Sequence, residues 1–66
     1  MKNNLAQRRL DRDWTQADLA QSLGVSRQTV ISIERDRFDP SLPLAFLIAQ
    51  TFRCRIEDVF TVDGAA

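Results

Sequence analysis

Apolar residues recur at helical spacing along almost the whole chain. The segments are separated by breaks at Trp14-Thr15, Gly24-Val25, Arg37 to Pro40 and Arg53 to Arg55. No stretch alternates with the period of a strand. The clearest pattern is TQADLAQSLGVSRQTVISIE, Thr15 to Glu34, two short helical repeats around Gly24-Val25. Leu19, Ala20 and Leu23 form one apolar stripe, and Val30 and Ile33 another. Thr15 is placed to cap the first helix, with Asp18 three residues on to complete a capping box and Trp14 stapling onto Leu19. Gly24 supplies the left-handed residue that ends it. Ser26 caps the second helix, and Val25 can staple onto Val30. The pattern predicts helices over 4–13, 16–23, 27–36, 42–52 and 56–60 and a tail over 61–66, in one all-α domain, 1–66.

In the first helix Leu5, Ala6 and Leu10 define the predicted buried stripe, and Arg9 falls inside it while Arg8 and Arg12 fall outside. An arginine aimed at a core must find a carboxylate or snorkel to water, and spacing leaves both readings open. Glu34 sits at the border between the faces of its helix, where it could reach a neighbouring helix. Ser41 caps the fourth helix, with Pro43 tolerated in its first turn. Its apolar face is Leu44, Ala45, Ile48, Ala49 and Phe52; Phe46 and Leu47 flank that face, so the helix is apolar around most of its girth. Ile56, Val59 and Phe60 mark the short fifth helix.

Composition changes this picture little. With 44% hydrophobic and 27% charged residues the chain reads as an ordinary globular domain. A formal net charge of +0 counts against a nonspecific polycation but leaves room for a basic face. Arg8, Arg9, Arg12, Arg27, Arg35 and Arg37 lie in the first two-thirds, whereas Glu57, Asp58 and Asp63 lie at the end. One cysteine and no histidine leave no internal disulfide and no metal-ligand spacing, and neither a Gly-rich phosphate loop nor a nucleophile–base pair is present. No enzyme activity, metal or cofactor is expected, and Cys54 reads as a packing residue. With no signal peptide and no run of membrane-spanning length, a cytoplasmic location without membrane contact is expected.

The capped hairpin has a helix-turn-helix outline, in which the second helix enters the major groove and the first crosses the backbone. Gln28 can contact adenine bidentately, and Arg27 or Arg35 can bond guanine or phosphate. Ser32 permits close approach, and Ile31 could meet a thymine methyl or be incidentally exposed. Gln16 lies beside the free N–H groups that begin the first helix of the pair. On spacing alone, a solvated polar face of a hairpin that never touches DNA fits equally well.

The run WTQADLAQSLGVSRQTVISIERDR followed by FDPSLPLAFLIAQTF resembles the Cro/cI-type helix-turn-helix, the xenobiotic-response-element family of prokaryotic regulators, above all its short single-domain members. The resemblance runs from Leu5 to Phe60. It implies a compact five-helix bundle of the lambda-repressor-like type that binds double-stranded operator DNA, a pseudo-palindromic site, as a homodimer. With no effector domain in the chain, repression by occupying a promoter is the simpler expectation. The resemblance places Arg27, Gln28 and Ser32 at base-reading positions and Gln16 at a phosphate-bonding position where it may brace Gln28. It places Arg37 at a basic position suited to the backbone, with Ser26, Thr29 and Arg35 completing the expected DNA-contacting set. Arg9 and Glu34 occupy the positions of a buried ion pair.

Five residues depart from the family pattern. Asp36 stands where Gly or Asn is common, Asp39 where Asn is common, Arg53 where Gly closes the fourth helix, Arg55 where Ser or Thr caps the fifth, and Leu47 where Lys is frequent. Phe46, Leu47, Val59, Phe60 and Val62, with Ile56, could form a two-fold interface; the competing reading puts Ile56 and Phe60 in the protomer core. An antitoxin-like module is the alternative function, its apolar fourth and fifth helices docking a toxin partner and its DNA binding autoregulatory.

Overall fold

A computed structural model describes residues 1–62. Within them the five expected helices form: α1 (Leu5–Asp11), α2 (Gln16–Leu23), α3 (Arg27–Glu34), α4 (Leu42–Thr51) and α5 (Ile56–Val59). All but α2 are shorter than the apolar pattern predicts. At the C-termini of α1, α3 and α4 the reason is the same. Asp13, Asp36 and Arg53 adopt left-handed backbone with φ of 57°, 59° and 53°, as Gly24 does after α2 with φ 69°. A helix cannot continue through such a residue.

The four helix ends share one hydrogen-bonding pattern. The left-handed residue donates to the carbonyl three back: Asp13 to Leu10, Gly24 to Gln21, Asp36 to Ile33 and Arg53 to Gln50. The next residue donates to the carbonyl five back: Trp14 to Arg9, Val25 to Ala20, Arg37 to Ser32 and Cys54 to Ala49. This is the Schellman arrangement, in which the second of these residues usually folds back apolar against the helix. Trp14, Val25 and Cys54 do so and pack on the core. Arg37 is the exception and stays exposed.

Leu5, Leu19, Val30, Ile33 and Ile48 are fully buried at the centre, with Ala20, Leu23, Ala45, Phe52, Val59 and Phe60 around them. Two expectations are corrected here. Leu10 is 55% exposed, so α1 does not bury the whole of its predicted stripe; Leu5 is its buried anchor. Val59 and Phe60, 1% and 6% exposed, belong to the protomer core, which corrects their place at a two-fold interface and agrees with the competing reading for Phe60.

The chain ends meet in a feature the apolar period could not predict. β1 (Lys2–Asn3) pairs antiparallel with β2 (Phe60–Thr61), Lys2 opposite Thr61 and Asn3 opposite Phe60. Two residues per strand are too few to show an alternation. Phe60 therefore belongs to β2 rather than to α5, and Thr61 is paired rather than part of a tail; residues 63–66 of that expected tail lie outside the described residues. Asn4 and Arg8 fasten the same end of α1, their side chains donating to the carbonyl of Asp58 at 2.9 and 3.2 Å. Asn4 is the N-cap of α1 and not its first turn, and the side chain of Asn3 accepts from the Leu5 N–H at 3.0 Å.

Candidate nucleic-acid interface

The α2–α3 hairpin is held at its start, at its turn and at its end. At the start of α2, Thr15 Oγ1 accepts from the Asp18 N–H at 3.0 Å while Asp18 Oδ2 accepts from the Thr15 N–H at 2.8 Å. These bonds satisfy two backbone donors that a helix start otherwise leaves free. The backbone bond from Thr15, and then the bond with its side chain, hold the Asp18 carboxyl below its ordinary value of 3.8. Gly24 turns the chain, and Ser26 Oγ then accepts from the Thr29 N–H at 3.1 Å and lies 3.0 Å from Thr29 Oγ1. Ser26 and Thr29 therefore spend their hydroxyls on each other at the start of α3.

At the end of α3, back beside the start of α2, stands Glu34. Arg9 Nε donates to Glu34 Oε2 at 2.8 Å, and Arg9 Nη2 donates to Oε1 at 3.3 Å. Gln16 Nε2, from the first residue of α2, donates to the same Oε1 at 3.1 Å. Arg9 Nη1 donates to the carbonyl of Trp14 at 2.8 Å. The Arg9 and Glu34 side chains are only 12% and 7% exposed. Among the described residues no buried side-chain polar atom lacks a partner. Removal of charges this deep from water is offset only when their hydrogen bonds are made, and here the fork of one guanidinium meets the fork of one carboxylate. The arginine that fell inside the apolar stripe therefore has its carboxylate. Gln16 reaches Glu34 rather than Gln28.

This clamp fixes how α3 lies against α2 and what α3 presents outward. Val30 and Ile33 face the core, whereas Arg27, Gln28 and Arg35 are exposed and Thr29, Ile31 and Ser32 are half-buried. Arg37 follows on the exposed turn. Among the described residues Arg27, Arg35 and Arg37 make no ion pair, so their charges face solvent uncompensated. Arg27 lines an open concavity of about 670 Å³ with Arg9, Thr15, Gln16 and Ala17, at the start of α2. The structure thus brings Gln16 and Arg27 together on one side and leaves Gln28, Ser32 and Arg35 along the outer face of α3.

Asp36 and Asp39 add negative charge near this surface, and both are engaged. Asn3 Nδ2 donates to Asp36 Oδ1 at 3.0 Å and to the Ile33 carbonyl at 2.8 Å, and Asp39 Oδ1 lies 3.4 Å from the Met1 amino group. Asn3 is the residue that sequence reasoning missed. It ties β1 to the end of α3 across 30 residues, and no local pattern marks such a contact. A second missed feature is Arg12, whose guanidinium lies 5.1 Å from the Trp14 ring centre and 4.7 Å from that of Phe52.

Of the residues expected at a two-fold interface, Phe46, Leu47 and Val62 are 54%, 38% and 64% exposed, and they lie on other elements than the α3 face. No helix of the described residues is long and apolar enough to cross a membrane.

A family model described as helix-turn-helix matches residues 5–59. An uncharacterized HTH-type transcriptional regulator of Methanocaldococcus jannaschii is 57% identical over 60 residues, which cover 91% of each chain. An uncharacterized HTH-type transcriptional regulator of Bacillus subtilis is 40% identical over 63 residues, 96% of each. Among solved structures, the crystal structure of the hypothetical transcription factor NHTF from Neisseria superposes with a TM-score of 0.76 at 25% identity. That match covers 83% of this chain and 62% of NHTF, so this chain spans less than two-thirds of that protein.

Proposed function

The chain belongs to the Cro/cI-type helix-turn-helix family of transcriptional regulators, and from that premise we propose that it is a cytoplasmic repressor. In this reading it binds a pseudo-palindromic site in double-stranded DNA as a homodimer and represses by occupying a promoter. The observation that carries the reading is the outer face of α3: Arg27, Gln28 and Arg35 exposed, with no carboxylate paired to either arginine, on a helix whose attitude is set by Glu34.

Roles divide by position. Gln28 reads a base edge, with the planar amide that matches adenine, and Ser32 allows the helix to approach. Arg27 shares its concavity with Gln16 and the first N–H groups of α2, a place suited to a phosphate. We therefore read Arg27 and Gln16 as backbone contacts, with Arg35 and Arg37 beyond them. Two such faces on a two-fold axis would sit one helical turn apart, roughly 34 Å.

The test is a titration against the DNA upstream of the protein's own gene and against random DNA, at several salt concentrations. Specific binding should exceed nonspecific binding by about 10³-fold or more. Gln28→Ala should lose about 1–3 kcal/mol of specific binding with an unchanged melting temperature. Equal affinity for both DNAs would sink the reading.

A further inference from the structure

Of the four helix ends that share the Schellman arrangement, one lacks the usual anchor. Trp14, Val25 and Cys54 hold the turns after α1, α2 and α4 by folding onto the core. The matching residue after α3 is Arg37, which is exposed and makes no ion pair among the described residues. Asn3 supplies the missing hold from another element. Its Nδ2 donates to the Ile33 carbonyl at 2.8 Å and to Asp36 Oδ1 at 3.0 Å, one carbonyl and one carboxylate of the same turn. Its Oδ1 accepts from the Leu5 N–H at 3.0 Å, and its backbone pairs in β1 opposite Phe60, which is 6% exposed. The half-buried amide is therefore fixed to the core on one side and to the end of α3 on the other.

We propose that Asn3 is a positioning residue for DNA binding: it holds the turn after α3 so that Arg37 can leave the core and present its guanidinium to a DNA phosphate. The inference rests on the DNA-binding reading above and gives β1 a part in it. An apolar side chain at position 37 would fix the turn but carry no charge. Arginine there carries the charge but leaves the turn without its anchor, and a side chain on an unheld turn loses more entropy when it binds. Anchoring from Asn3 removes that conflict. The same amide engages the Asp36 carboxylate, the acid that lies between Arg35 and Arg37 in the sequence.

The experiment has one arm without DNA and one with it. Asn3→Ser is the variant, because a serine hydroxyl can still accept from the Leu5 N–H but is too short to reach the turn. Without DNA, amide exchange is followed by NMR at a temperature where circular dichroism shows the helix content of the wild type. The Arg37 N–H, bonded to the Ser32 carbonyl at 2.9 Å, should exchange about tenfold faster. The Val25 N–H, in the matching turn after α2, should not change. With DNA, Arg37→Ala should lower the slope of log affinity against log salt by about 0.9, the share of one phosphate. Asn3→Ser should weaken binding about threefold and add nothing in the Arg37→Ala background. An asparagine that merely stabilised the fold would cost the same in both backgrounds, and that result would overturn the proposal. So would an unchanged Arg37 amide, or a salt slope that Arg35→Ala lowers and Arg37→Ala does not. Arg37→Ala replaces an exposed side chain, so this last outcome decides even if Asn3→Ser fails to fold. A wild type that binds no DNA would overturn the functional reading and with it the role of Arg37, while the exchange arm still decides whether Asn3 holds the turn.

Discussion

Two turns of this chain have the same backbone and different residues. Between α2 and α3 the sequence runs Gly24-Val25-Ser26, and between α4 and α5 it runs Arg53-Cys54-Arg55. Each begins with a left-handed residue, each donates back to the carbonyls three and five residues earlier, and each ends at the N-cap of the next helix. The first turn uses the residue best suited to each position: glycine for the positive φ, valine to fold onto the core, and serine to cap. The second uses arginine where glycine is cheapest, and arginine again, which has no acceptor, at the cap. There, among the described residues, the capping contact through a side chain comes from Asp58, whose Oδ2 accepts from the Arg55 N–H at 2.9 Å. The difference teaches that one backbone solution is held by local chemistry in the hairpin. At the second turn the same backbone is kept by arginines at the glycine and cap positions, with the cap closed from within α5 by Asp58.

The largest test of the comparison concerns the clamp at the open end of the hairpin. Glu34→Ala leaves Arg9 buried without its carboxylate and should destabilise folding by as much as about 3–5 kcal/mol, read by urea denaturation. A normal midpoint would mean that the Arg9–Glu34 pair adds no net stability to the packed hairpin. Next comes Gly24→Ala. A Cβ there would meet nothing within 4 Å, so the cost is that of the backbone conformation alone, about 1–2 kcal/mol. The opposite change at the matching position, Arg53→Gly, should raise stability by about 1 kcal/mol or less. If both substitutions shifted the thermal midpoint in the same direction, the two turns would not be equivalent. The smallest effect is on pH. The Asp18 carboxyl titrates below its ordinary 3.8 in the folded chain, so its contribution is complete above that value. It is lost as pH falls through the lower, folded value. Asp18→Asn should therefore flatten the acid end of a stability-against-pH curve and leave the rest parallel.

Much of this molecule was legible because its rules are local. The caps at Thr15, Ser26 and Ser41 and the turn at Gly24 depend on neighbours within four residues. What was hidden depends on distance. The helix ends came out short because Asp13, Asp36 and Arg53 take a left-handed conformation that the apolar period does not report. Asn3 reads as a polar residue near the chain start until its amide is found on the end of α3. Val59 reads as interface and Phe60 as interface or core; both are buried, Val59 at the end of α5 and Phe60 in the β1–β2 pair. At the candidate interface, the faces of α3 followed from its period. The nearness of Arg27 to Gln16 did not, because it depends on where the start of α2 lies in space.

The Glu34 carboxylate has a consequence for the thermodynamics of recognition. Its two oxygens hold α1 through Arg9 and the start of α2 through Gln16, and it is itself the last residue of α3. The groups read here as phosphate contacts and those read as base contacts are thus members of one rigid body. The entropy of aligning them is lost during folding and is not charged again at binding.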